Sequence, residues 1–378
     1  MHKNSSLQIL HVLTLNTLNG DYGGPLRVAR VTCTELIRRG YKATIFSGTL
    51  RNLEPLRNLH LDESFVHVSP ILRSYPLSSL WSWRLVPKLK QKIGVADIVH
   101  IHFARDLIPI LAALICIFQK KKFVTQTHGM IVDDGRLLTK LIDKILVEPI
   151  LAKSEANFVL NEFERKRLSQ VSNKIRIKIL PNGIGISDFI QPKSRSRNLR
   201  VVFCARLHPQ KGISKFLELA TSQKDSQIEF QVFGPDGGEY EKIDQYLGME
   251  NRNHRLKYSG ALNPNDVIHE LSKFDILVLP SFNENFPMVV LEALSVGTCV
   301  LVMPSCGISG ELSIFNENFV SESETTDGLI RSFDRLKQKV DEIDRAAVMK
   351  FCQEKYSIEK VCEELVQEYY LLVGNHDA

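Results

Sequence analysis

Two glutamates with seven residues between them, Glu284 and Glu292, sit on a stretch whose pattern fixes where each would point. Asp275 to Pro280 is almost wholly apolar and reads as a strand buried on both faces. The polar turn Ser281 to Asn285 follows, and a helix is predicted from Pro287 to Gly297, with proline in the first turn and glycine at the end. One carboxylate then precedes the helix and the other leaves its second turn. The backbone N–H groups of Phe286, Met288 and Val289 face the same space, backed by the positive end of the helix dipole. Two acids beside an anion site suit a ligand bearing both hydroxyls and phosphate. A glutamate near a helix start also complements the dipole without binding anything, so this stretch alone leaves both readings level.

Further candidates lie at the ends of other predicted strands. Arg206 and Lys211, in Arg206-Leu-His-Pro-Gln-Lys211-Gly212, follow the strand Leu199 to Ala205, where cations can converge on a phosphate. His128 closes the strand Phe123 to Gly129, at the carboxyl edge where α/β sheets hold ligands. Gly23-Gly24 stands in the turn between the first strand, Leu7 to Leu15, and a helix from Pro25 to Arg39. That turn is not GxGxxG, and the next strand ends in Ser47-Gly48 without an acid for a ribose, which disfavours a dinucleotide dehydrogenase. His100 and His102 read as packing or acceptor-side residues. A histidine pair with one remote histidine is a poor zinc signature.

Taken together, Gly23-Gly24, Thr127-His128-Gly129, Pro181-Asn182-Gly183, Arg206 to Lys211 and Glu284 to Glu292 resemble the motifs of retaining GT-B glycosyltransferases, in particular the GT4 family. The resemblance implies two Rossmann-like doubly wound domains facing across a cleft. It also implies sugar transfer from a nucleotide-diphosphate sugar. Arg206 and Lys211 would hold the departing diphosphate, Glu284 would approach the sugar hydroxyls, and His128 would orient the transferred sugar. Gly23, Gly24, Asn285, Phe286, Pro287, Met288, Val289 and Glu292 would line the donor site, with Glu292 on the ribose diol. Pro287 departs from the family, many members having glycine there, and this removes a backbone donor. No DxD motif ends a strand, so no metal and no cofactor is expected. Two rivals share the pattern: a GT-B nucleotide-sugar epimerase and a non-catalytic carbohydrate-binding protein.

The elements that must position these residues follow from length and periodicity. A chain of 378 residues, 44% hydrophobic and 24% charged, predicts two soluble globular domains. We place them at 1–190, binding the acceptor, and 191–354, binding the nucleotide-sugar, with a basic linker at 190–198. The amphipathic segment 355–373 is expected to pack back on the first. Residues 1–200 carry 31 basic and 15 acidic side chains, against 17 and 28 in 201–378. A basic front half suggests peripheral contact with an anionic membrane, and no nucleic-acid motif accompanies it. Trp81 and Trp83 among cations in Arg73 to Lys92 are the segment that reading singles out. The polar start, Met1 to Ser6, reads as no leader, and seven scattered cysteines read as reduced core residues, which together predict a cytoplasmic protein working at the inner membrane face. A glycan or lipid-linked acceptor fits that setting.

Overall fold

The computed structural model describes residues 6–16, 24–50, 61–132, 135–172, 174–185, 198–248 and 255–374. The chain divides into two compact units, Met1–Gly183 with Ile358–Ala378, and Ile184–Ser357. The expected linker at 190–198 lies almost wholly outside the described residues.

The first unit begins with β1 (Gln8–Asn16), α1 (Gly24–Arg38), β2 (Lys42–Thr49) and β3 (Asp62–His67). A two-residue antiparallel pair, β4 (Ser69–Pro70) and β5 (Leu80–Trp81), leads into α2 (Leu85–Val95), β6 (Ile98–His102), α3 (Leu107–Gln119) and β7 (Phe123–Gln126). There follow α4 (Leu137–Ile142), one wide turn at Asp143–Val147, α5 (Glu148–Lys153), β8 (Asn157–Val159), α6 (Glu162–Ser169) and β9 (Ile177–Ile179). The strands form one parallel sheet in the order β3-β2-β1-β6-β7-β8-β9, so the direction of winding reverses between β1 and β6.

Alternation along β1 sends Leu10 and Val12 into the core beneath α2, α3 and α5, while Ile9 and Leu13 enter the core beneath α1. The last helix of the chain, α14 (Ile358–Gly374), shares that second core through Val361, Leu365 and Tyr369. Its ends are tied by polar contacts: Arg39 donates to the Glu359 carbonyl at 2.5 Å and Lys122 to the Leu372 carbonyl at 2.5 Å. Lys121 donates to the Ala96 carbonyl at 2.9 Å. Two of the three lysines after α3, Lys121 and Lys122, therefore serve helix and strand ends.

The second unit runs β10 (Leu199–Cys204), a 3-10 turn at Pro209–Lys211, α7 (Ile213–Ser222), β11 (Ile228–Phe233), α8 (Tyr240–Leu247), β12 (Leu256–Tyr258) and α9 (Val267–Leu271). It continues with β13 (Ile276–Leu279), α10 (Met288–Ser295), β14 (Cys299–Val302), α11 (Ser309–Phe315), α12 (Thr326–Lys339) and α13 (Arg345–Tyr356). All five strands are parallel, ordered β12-β11-β10-β13-β14, with the reversal between β10 and β13. All seven cysteines are buried free thiols. Among the described residues, no helix is long and apolar enough to cross a membrane.

Candidate active site

In an open α/β sheet, ligands bind beyond the carboxyl ends of the strands where the winding reverses. Lys211 and Glu284 lie at that place in the second unit. The loops after β10 and β13 are locked together there. Gly212 takes φ +75°, and a Cβ on it would stand 2.2 Å from the Pro280 carbonyl oxygen, so only glycine lets the Arg206 to Gly212 loop press onto the end of β13. Phe282 N–H donates to the Gln210 carbonyl at 2.8 Å. The result is a direct ion pair of Lys211 Nζ with the Glu284 carboxylate, both side chains mostly shielded. Asn283 adopts the left-handed conformation, φ 51°, which turns the chain back toward Glu284. The Glu284 carbonyl then accepts from Gly307 N–H at 2.8 Å.

Arg206 is exposed, and its aliphatic stem lies over Gly237, where a Cβ would come within 2.8 Å of it. Gly237 belongs to Phe233-Gly-Pro-Asp-Gly-Gly-Glu239, a stretch the sequence reading passed over although glycines directly after a strand were its signal. The Leu207 carbonyl accepts from Gly237 and Glu239 N–H at 3.0 and 3.1 Å, and a Cβ on Gly234 would stand 1.8 Å from the Ala205 carbonyl. The glycines thus let the loop after β11 seat on the one carrying Arg206. Asp236 caps this loop, accepting from Gly238 N–H at 2.8 Å, and that hydrogen bond holds its carboxyl below the usual range.

The helix α10 is shorter than expected. Pro287 is its N-cap residue with extended backbone, φ −76° and ψ 108°, because a proline-fixed φ suits the step into the helix. Met288 and Val289 form the first turn, half-buried. Phe286 lies one residue before the N-cap, and its ring packs edge-on against Tyr356 at 5.9 Å. Asn285 is half-buried in the turn. Glu292 does not stand out of the helix as expected; it is 2% exposed on a turn that is buried all round.

In the first unit Gly23 lies outside the described residues, and Gly24 opens α1 with nothing within 4 Å of an added Cβ. Packing does not demand glycine there. His128 lies just past β7, which ends at Gln126 and not at Gly129 as expected, since His128 (φ 49°) and Gly129 (φ 75°) both turn left-handed. Glu164 of α6, 3% exposed, holds that turn: its carboxylate accepts from Thr127 Oγ1 at 2.5 Å, from Gly129 N–H, and from Leu160 N–H at 2.7 Å. The sequence reading missed Glu164. Its signal was Asn161-x-x-Glu164, the capping box opening α6.

His128 does not stand alone. Alternation puts His11 beside Ile9 and Leu13, and His100 and His102 beside Ile98, on the α14 face of the sheet. His11 Nδ1 lies 3.1 Å from His102 Nε2, and His102 Nδ1 lies 2.7 Å from His128 Nε2. His100 Nδ1 is 2.6 Å from the Tyr369 hydroxyl. The ligand nitrogens of His11, His100 and His102 fall within 4.8 Å of one another. A shared metal is nevertheless poorly served, since His11 stacks on His100 at 4.6 Å and 15°, and His100 on His102 at 5.0 Å and 23°. In-plane lone pairs on nearly parallel rings do not converge. Burial keeps the column neutral, pushing His11 and His102 well below their ordinary value and His100 and His128 down to about 3.

A neutral imidazole donates from one nitrogen only, so the chain of bonds runs in a single direction. His11 Nε2 is buried and has no hydrogen-bond partner among the described residues. An orphaned N–H is costlier than an orphaned lone pair, so His11 keeps its proton on Nδ1, donates to His102, and His102 donates to His128. His128 is left with its own proton on Nδ1, a donor and not a base.

Two family models match the chain, Glycosyltransferase Family 4 over residues 22–188 and Glycosyl transferases group 1 over residues 187–347. The chain belongs to the GT4-type glycosyltransferases of the GT-B fold. It is 23% identical to a D-inositol 3-phosphate glycosyltransferase of Corynebacterium glutamicum, over 75% of each chain. It is 34% identical to the N,N'-diacetylbacillosaminyl-diphospho-undecaprenol alpha-1,3-N-acetylgalactosaminyltransferase of Campylobacter jejuni, over 27% of this chain and 26% of that one. For three further curated relatives the match spans 65%, 44% and 48% of their length. Anabaena Alr3699/HepE, solved in complex with UDP, superposes with a TM-score of 0.75 at 15% identity, over 96% of this chain and 99% of that one. As a GT4-type chain, it carries Lys211 and Glu284 at the winding reversal of its second sheet and the histidine column at that of its first.

Proposed function

We propose that this chain moves a hexose-type sugar from a nucleoside-diphosphate sugar to a phosphate-bearing glycan or lipid-linked acceptor, with retention at the anomeric carbon and without a metal ion. The observation that carries the reading is the Lys211–Glu284 pair at the carboxyl edge between β10 and β13. As the bond from sugar to phosphate breaks, negative charge gathers on the leaving diphosphate, and fixed cations stabilise it at no reorganisation cost. Lys211 and Arg206 supply that charge, and Glu284 accepts from sugar hydroxyls. The acceptor oxygen bonds to the anomeric carbon on the face the diphosphate leaves, and the acceptor proton passes to a diphosphate oxygen. His128, presenting Nδ1–H, orients the sugar. The UDP complex of the Anabaena neighbour supports a uridine donor, and the names of the inositol-phosphate and undecaprenol-diphosphate relatives support a phosphorylated acceptor. The buried free thiols fit a cytoplasmic setting.

Saturation-transfer binding of UDP-, GDP- and ADP-sugars, followed by proton NMR of the product in chelator, tests this. Binding of one donor and an α-linked product from an α-linked donor are expected. Inversion at the anomeric carbon, loss of turnover on chelation, or an isomerised sugar formed from donor alone would each overturn the corresponding part.

A further inference from the structure

From Leu137 to Lys153 the first unit is helical without interruption, yet its two ends behave oppositely. The far end enters the core through Val147, Ile150 and Leu151. The near end buries little: no residue of α4 is fully buried, although four of its six are leucine or isoleucine, and of these Ile142 is the one that packs, partly buried, against that core. Leu137 is 86% exposed, Leu138 59%, Leu141 54% and Ile145, one turn on, 59%. At 100° per residue these four fall on one face. Arg136, Lys140 and Lys144, all exposed, run down its flank. Arg105 fixes the base of this projection, donating through Nε and a terminal nitrogen to Asp143 at 2.7 Å each.

We propose that this projecting helix is a membrane foot, its leucine face entering the headgroup region of an anionic bilayer while Arg136, Lys140 and Lys144 meet lipid phosphates. An apolar arc beside a cationic edge is the composition that lies in an interface plane. The 31 basic against 15 acidic side chains of residues 1–200 favour the same surface. A second copy of the chain is the poorer occupant, because a two-fold contact through this face sets its three cations against their own images. Vesicle binding needs neither donor nor turnover, so it stands or falls apart from the proposed transferase chemistry.

The test is flotation of the full chain with vesicles of phosphatidylglycerol and phosphatidylcholine, or of phosphatidylcholine alone, at low and high salt. The unaltered protein is expected to float with the anionic vesicles and to release as salt rises. Leu137→Ser/Leu141→Ser/Ile145→Ser, at sites that support no core, is expected to keep its melting temperature and lose about tenfold in bound fraction. Lys140→Glu/Lys144→Glu is expected to abolish the preference for anionic lipid. Unaltered protein left at the bottom with anionic vesicles, or a triple-serine variant that floats equally well, overturns the proposal. So does loss of binding on Trp83→Ser but not on the leucine changes, or a solution dimer that the triple-serine variant dissolves.

Discussion

Lys211 meets its own carboxylate before it can meet a diphosphate, and the pair sets two opposite expectations. Lys211→Ala removes positive charge from the leaving group and is expected to lower kcat by about 10²- to 10³-fold with a smaller change in KM. Glu284→Gln removes the internal anion instead. Half-shielded pairs of this kind are worth about 1 kcal/mol, so the variant is expected to bind free nucleoside diphosphate about fivefold tighter while transfer falls. Calorimetry on the two variants checks both signs. The histidine column makes a third expectation. His100 and His128 titrate at about 3 when folded against an ordinary 6.5. The unfolded chain therefore binds more protons between those values, and stability is intact above pH 6.5 and lost as pH falls toward 3. The slope is about 1.4 kcal/mol per pH unit for each histidine kept neutral. Denaturant titrations of the unaltered protein and His11→Phe are expected to show a shallower fall in the variant. His102→Phe keeps the stack but cuts the relay, and is expected to lower kcat about tenfold with KM unchanged.

At the scale of elements, the loops and not the strands decide what the site is. Gly212→Ala forces a Cβ against the Pro280 carbonyl and is expected to cost about 3 kcal/mol, read as a lowered melting temperature. Glu164→Ala leaves the Thr127 hydroxyl and two backbone donors of a buried turn without their acceptor, and is expected to cost about 1–3 kcal/mol. The strands were legible in the sequence because runs such as Ile276–Leu279 are apolar on every residue, as a sheet covered on both faces requires. Lys211 and Glu284 were legible as types and spacing. Their meeting was not, since it depends on β10 lying beside β13, a neighbour relation no local pattern encodes. The same is true of His11, which joins His102 across two strands 91 residues apart. The edge strand β3 escaped notice because four of the six residues of Asp62–His67 are polar and Val66 alone of them is fully buried. The end of β7 was misplaced because left-handed backbone at His128 carries no sequence mark beyond the glycine after it.

At the scale of the molecule, the chain leaves the first unit after Gly183 and returns at Ile358, and the two passages lie side by side. A Cβ on Gly183 would meet Ile358 Cα at 2.8 Å, and Ile184 N–H donates to the Tyr356 carbonyl at 2.8 Å. The returning helix α14 then gives Ile358, Val361, Cys362, Leu365, Tyr369 and Leu372 to the core beneath α1. Ending the chain after Tyr356 would bare that whole face, and such a protein is expected to aggregate, whereas supplying 357–378 as a separate peptide is expected to restore solubility. The ribosome makes the first sheet before the second unit, and the helix that helps roof it only after that unit. Part of one face of the first sheet therefore stays uncovered while all of Ile184–Ser357 is made, and the unit begun first is the one completed second.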